Sequence, residues 1–406
     1  MSWREWFGLS PTESEFAQKI IAAAARTGNR GWQYDANSRA LKHAEQTGVV
    51  NCANIFLEYC NSAKPFRKAM IEKYAGLLRS FSLKIPDLWT LASGNIFPAV
   101  RSTHMLITVE IDCRGTSDNF PALIKQSLPG DLQVLLMYDH GQQLASLSED
   151  KIAVWGQHQD ALFAQALNNL RSLPRPHWVN VDQYVYQLVS DVSYEETFLL
   201  LTEVTGLLPF AHHAVFMVPN RGVVIAADEA NPDAVKALLN YATDCLAKKP
   251  WPLSGKLLKN ANGFISVVSP PAELAEIAHT VQVISISSTY DAQKDALEKY
   301  YQRVGEDRFV AAFNVMSKKE AADKCRSWCF WGQGIASSLP KTDLLAFAQD
   351  AGTNKQNTIM VSWDHAAEIC GPYMQRTEDD PERYRVDSFP DEAQWQQLLA
   401  HSARFN

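Results

Sequence analysis

Long apolar runs are missing from this chain of 406 residues. The longest, "IIAAAA" and "TFLLL", fall far short of the ~20 residues a membrane-spanning helix needs. The opening "MSWREWFGLSPTESEF" lacks the basic stretch and apolar core of a secretory leader, so no cleavage is expected. Trp3, Trp6 and Phe7 have only Arg4 beside them, without the basic face of a membrane-surface helix; a staple on the first helix is expected, and no membrane partner. Positive charge is also short. Thirty-eight basic residues stand against 45 acidic ones, a net charge of −7, which gives no global field to hold a phosphate backbone and argues against nucleic acid as a partner. The seven cysteines are odd in number and scattered, which fits a reducing, cytoplasmic setting better than a disulfide framework. No G-x-S-x-G elbow, G-x-G-x-x-G, phosphate loop or H-E-x-x-H occurs, so the corresponding hydrolase, nucleotide and zinc chemistries have no motif to rest on and no cofactor is expected. "WGQG" at 331–334 has too few glycines for a phosphate loop and reads as a helix exit.

What is present is core material. Hydrophobic residues make up 46% and charged residues 20%, enough for a globular protein of two or three domains. Ser10, Pro11 and Glu13 signal a helix start, running to Gly28, and helical patterns follow at 51–61 and 64–80 with Leu77, Leu78 and Phe81 on an apolar side. At "HMLITVEID" the period turns to two, and "DLQVLLMYD" suits a strand buried on both faces. "DALFAQALNNLRSLP" reads as a helix, "YVYQLVSDV" as a strand, and "SYEETFLLLTEVTGLL" as a helix begun by Ser193. "AVFMVPNRGVVIAAD" is a hairpin turning at 219–222. Asn231 and Pro232 cap and open a helix to about Lys248. Beyond it, "GFISVV" and the alternating "VQVISIS" read as strands around a helix at "PAELAEIAHT". "AQKDALEKYYQRVG" is helical, and "FVAAFNVM", "DLLAFAQ" and "NTIMVSW" are β-rich. "QRTEDDPERYRV" reads as a charged, exposed loop before a last helix at "DEAQWQQLLAHSA". The pattern gives an α+β protein of mixed sheets and packed helices in three parts: a helical region 1–100, a mixed α/β region 101–284 and a C-terminal α/β module 285–406.

The ordered stretches "IFPAVRS", "LQVLLMYDHGQQLASLSEDKIAVWG", "VFMVPNRGVVIAADEANPD" and "PWPLSGKLLKNANGFI" resemble the YtpQ-like family of bacterial cytosolic proteins of unknown function. The resemblance covers roughly residues 30 to 268. It implies a fold and a cytosolic setting, and carries no activity or catalytic residue. Residues 285–406 lie outside it and leave room for a fused module.

Four sets of residues are candidates for function. In "SKKEAADKCRSWCFWGQG" (317–334), Ser317 and Glu320 suggest a capping box, so a helix is expected that ends at Gly332 with Cys325 and Cys329 on one face. Near the negative end of that helix a thiol gains no reactivity, and the spacing differs from redox pairs. With His365 and Cys370 from "DHAAEIC" the two cysteines could form a tetrahedral zinc site; packing into a core is the preferred reading. His213 and Asp228 share the open end of the hairpin, and Asp139 and His140 follow a buried strand, so the four form a possible ligand pocket. Gly141 and the helix at Asn231 offer structural roles for the same residues. Trp328 and Trp331, with Phe330 between them, cannot all face one core and suggest an interaction surface. The expected function is therefore non-catalytic, through an unidentified protein or small-ligand partner. The alternative is a metal-dependent hydrolase or a zinc-stabilised module built on Cys325, Cys329, His365 and Cys370.

Overall fold

The first helix among the described residues, Glu13–Arg26, is capped reciprocally at Thr12, whose hydroxyl accepts the Glu15 amide while the Glu15 carboxylate accepts the Thr12 N–H. The computed structural model describes residues 11–44, 49–80, 83–116, 121–141, 143–261, 263–318, 321–350 and 357–402; Ser10, Trp3, Arg4, Trp6, Phe7, Phe81 and Glu320 lie outside them. Phe16, Ile20 and Ala24 recur at helical spacing and are buried against helices Cys52–Asn61 and Arg67–Ser80. A small antiparallel sheet of Trp32–Asp35, Ala40–His43 and Val49–Asn51 closes this N-terminal core through Trp32, Leu41 and Val50.

Two further sheets form the centre. Ile96–Ser102 pairs antiparallel with Leu132–Asp139, Ile96 opposite Tyr138, and both strands are buried almost throughout. The expected hairpin forms from Ala214–Met217 and Ile225–Asp228, with Ala214 opposite Asp228. It lies inside a six-stranded sheet bounded by Phe264–Val267 and His177–Asp182. One face of that sheet, through Phe216 and Ala226, shares a core with Phe97, Val100 and Leu132. The other, through Val215, Met217 and Ile225, packs on helix Pro232–Lys248, whose cap Asn231 accepts the Asp233 and Ala234 amides.

The C-terminal part has two sheets. One orders Asn314–Lys318, Ala321–Gly332, Leu344–Gln349 and Asn357–Ser362; the other orders Phe309–Val310, Ser337–Pro340, Arg383–Val386 and Gln375–Arg376. Helices Trp363–Cys370 and Glu392–Ala400 complete it. Helices with antiparallel and mixed sheets make the chain α+β. No described helix is long and apolar enough to cross a membrane.

Four expectations are corrected. "HMLITVEID" is helical, within Thr103–Cys113; a short, nearly continuous apolar run carries no decisive period, and His104, Leu106 and Ile111 are the buried residues. "VQVISIS" is the middle of a 30-residue helix, Ala275–Val304. With no glycine or proline inside that range, a helix propagates through β-prone residues at one added hydrogen bond each, and Gly305 at φ 71° ends it. Position 285 thus falls within this long helix, which packs on Pro232–Lys248, Thr103–Cys113 and Ala321–Gly332. "SYEETFLLLTEVTGLL" splits into Glu195–Phe198 and Thr202–Thr205, because Phe198, Leu199, Leu201 and Val204 are all buried and one continuous helix cannot aim consecutive apolar residues at one core. Finally, the Cys325–Cys329 segment is not a helix but the strand Ala321–Gly332.

Candidate functional site

Positions i and i+4 share a face in a helix and in a strand alike, so the spacing of Cys325 and Cys329 suits both. The strand puts Cys325, Ser327, Cys329 and Trp331 on its buried side. Cys329 donates its thiol to the Pro340 carbonyl and accepts from the Thr342 hydroxyl, both at 3.5 Å, and complete burial pushes its pKa up to about 12. Cys370 belongs to the same apolar core, whereas Cys325 packs with Val283, Tyr290 and Phe313. His365 stands apart, with Nδ1 2.9 Å from Ser362 Oγ and its ring stacked 4.3 Å from His401. The four are not brought together, and among the described residues no group of three or more His, Cys, Asp or Glu side chains is arranged to hold a metal ion. The cysteines are packing.

The expectation of a surface role for Trp331 is corrected as well. Trp331 is 0% exposed, with Phe347 and Phe389 at ring distances of 5.1 and 6.2 Å. Period two turns Trp328 and Phe330 to the opposite side, where both are half-buried. Asp139 accepts the Gly141 amide at 2.6 Å, closing a turn, and the Tyr194 hydroxyl at 2.7 Å. His140 lies edge-on to Tyr138. Asp228 accepts the Ala230 amide at 2.9 Å ahead of the next helix, and the His213 carbonyl accepts the Glu229 amide. Among the described residues no hydrogen bond or ion pair joins Asp139 or His140 to His213 or Asp228.

The convergence of polar groups lies elsewhere, in a cavity of about 410 Å³ where the long helix crosses the C-terminal sheets. Its first wall comes from the turn before Leu132. Gly130 at φ 83° and Asp131 at φ 63° bend the chain back, and a Cβ on Gly130 would sit 2.7 Å from Leu258. The Asp131 carbonyl accepts the Thr103 amide, and its carboxylate lies 2.8 Å from Lys256 Nζ and 3.7 Å from His104 Nε2. On the other side of the imidazole, His104 Nδ1 is 3.2 Å from Asp380 Oδ1 but outside hydrogen-bond geometry, so that contact is an ion pair. Burial works against the charged ring, and the two carboxylates overcome it, raising the pKa to about 9.

The opposite wall holds a second imidazole. His279 Nε2 straddles the Asp343 carboxylate, 3.0 Å from Oδ1 and 3.1 Å from Oδ2. Asp343 Oδ2 also accepts the Ser327 amide and hydroxyl at 2.6 and 2.8 Å, while Ser327 Oγ accepts the Asp343 amide at 2.9 Å. Burial opposes the Asp343 charge, but these donors hold its pKa below the ordinary carboxylate value. Lys341 stands 3.4 Å from Glu382. The 380–382 loop is fastened to the long helix by Tyr290 Oη on the Glu382 carbonyl and Gln293 Nε2 on the Pro381 carbonyl, each 2.9 Å. Behind Tyr290 the Arg383 guanidinium is fully buried and lies 5.5 Å from the ring centre. It is bonded to the Gln293 side chain and the Ala311 and Ser338 carbonyls, and burial lowers its pKa to about 10. A more open depression of about 500 Å³ over residues 83–87 carries one surface ion pair, Lys151 with Asp87, and no such convergence.

The expectation of an exposed loop at "QRTEDDPERYRV" is therefore corrected. Asp380 and Glu382 line the cavity, Arg383 is core, and Asp379 is buried and paired at 2.7 Å with Arg114. Sequence reading missed this site because His104 and His279 find their carboxylates far along the chain, whereas the histidines it weighed were those with acids nearby. No family model, curated protein or solved structure matches the chain. The functional reading rests on the geometry.

Proposed function

We propose that the protein binds a small zwitterionic or uncharged polar molecule in the cavity between the long helix and the C-terminal sheets. One observation carries this reading: the walls hold Lys256, Lys341 and charged His104 against Asp131, Asp343, Asp380 and Glu382, a near balance of signs in a space of about 410 Å³ typical of small-molecule sites. A polyanion would meet four carboxylates and a polycation three cations, so both face like charge. A molecule bearing one group of each sign, or none, finds partners for both. This is the small-ligand form of the interaction role expected from sequence. Its protein-docking form loses its chief support with the burial of Trp331. A cytoplasmic setting belongs to the same proposal and is supported by all seven cysteines being free thiols. So does membership of a YtpQ-like bacterial family, which adds nothing to the chemistry.

The test is a thermal-shift series with amino acids, betaine and neutral sugars beside adenosine triphosphate, citrate and spermine, run on wild type and Lys256→Met. The proposal expects stabilisation by a zwitterionic or neutral compound, at least tenfold weaker in the variant, and none by the polyions. Stabilisation by polyions alone, or by nothing in the series, would overturn it.

A further inference from the structure

We propose that His279, oriented by Asp343, is a general base that hydrolyses an acyl ester of the cavity's ligand; this rests on the binding reading above. The geometry supplies each part. Asp343 is fixed by the Ser327 amide and hydroxyl, and its ionised carboxylate accepts from His279 Nε2. That contact places the ring proton on Nε2 and leaves the lone pair on Nδ1, for which no hydrogen-bond partner occurs among the described residues. His279 lines the cavity, so a water held there is within the reach of the base, and a carboxylate that orients an imidazole is the arrangement general-base catalysis uses. Ser327 is not the nucleophile: its hydroxyl proton is donated to Asp343, so the imidazole is not in place to remove it. The attacking oxygen is water's.

The step balances without a co-reactant. Nδ1 takes one proton from water, the water oxygen forms a bond to the acyl carbon, and the carbonyl electron pair moves onto oxygen. Lys256, Lys341 and His104 supply the positive charge of the cavity in which that oxyanion develops. Collapse of the intermediate breaks the carbon–oxygen bond to the alcohol, and His279 returns the proton to the departing oxygen, giving a carboxylic acid and an alcohol. In this scheme His279 is the catalytic residue and Asp343 a positioning residue.

The experiment uses the full chain with p-nitrophenyl acetate and the p-nitrophenyl ester of glycine, following p-nitrophenolate release. Wild type is expected to exceed the buffer rate with the glycine ester, and His279→Gln to lose ~10²- to 10⁴-fold in kcat. Asp343→Asn should lose kcat with KM within twofold, a split that general loosening of the cavity would not give, and it decides the matter if His279→Gln does not fold. Lys84→Ala, at the other depression, should leave the rate unchanged. Release at the buffer rate from both esters, or a folded His279→Gln variant with wild-type kcat, overturns the inference. Thermal shifts with the compounds above, measured on the same samples, separate the two failures: binding without turnover removes the esterase alone, and absence of both removes the binding reading as well.

Discussion

At the scale of single residues the cysteines and tryptophans show how far a short pattern can be read. Packing is legible for the cysteines of "CRSWCFWG", since free cysteine among apolar neighbours favours burial, whereas Trp331, expected at a surface, is core. The element is not legible, because i and i+4 coincide on one face in both secondary structures, and it was Ser327 and Trp331 at even spacing that marked the strand. Trp331 fills the centre of the C-terminal core, so Trp331→Ala should cost about 3–5 kcal/mol, read as a large fall in urea midpoint. Half-buried Trp328→Ala should cost clearly less, and equal losses would contradict the assignment of faces. Cys329, completely buried and with its pKa raised to about 12, should react with a thiol reagent at neutral pH only as fast as the protein unfolds. Modification at the rate of an exposed thiol would contradict its place in the core.

At the scale of elements, legibility followed local chemistry. The Asn231–Pro232 cap, the 219–222 turn and the apolar run before Asp139 each specify their element within a few residues, and the structure has all three. The long helix runs through "VQVISIS" because the helical segments on either side meet without a break, a cooperative effect that no short window contains. A close approach beside this helix gives a direct test. A Cβ on Gly255 would lie 2.7 Å from Ser285 Oγ and 2.9 Å from the Val281 carbonyl, so Gly255→Ala must push apart the segment bearing Ser254 and Lys256 from the helix that forms the facing wall. We expect a destabilisation on the order of 1–3 kcal/mol together with weaker ligand binding. Unchanged stability and unchanged binding would show that the two walls are not in contact as described.

At the scale of the whole molecule, the site is a product of tertiary structure. Asp131, His104 and Lys256 belong to the region 101–284 and Asp343 and Asp380 to the module 285–406, and the fold alone makes them neighbours. The clasp of His104 with Asp131 and Asp380 has a pH signature. His104 is raised from an ordinary 6.5 to about 9 in the folded state, so its contribution to stability is complete below about pH 6.5 and fades as pH climbs through about 9, where folding no longer binds the extra proton. The groups facing it are Asp131 and Asp380, with Lys256 on the far side of Asp131. Urea unfolding of wild type should therefore lose midpoint between about pH 6 and pH 10 by more than His104→Asn does, and parallel curves for the two proteins would rule the clasp out. The most direct test of the account is a titration of the protein with the best stabilising zwitterion while the imidazole resonances are followed by NMR, assigned with His104→Asn and His279→Gln. Saturable shifts of both His104 and His279, with His365 and His401 unmoved, are predicted; stabilisation by the compound with both cavity histidines unmoved would contradict the site.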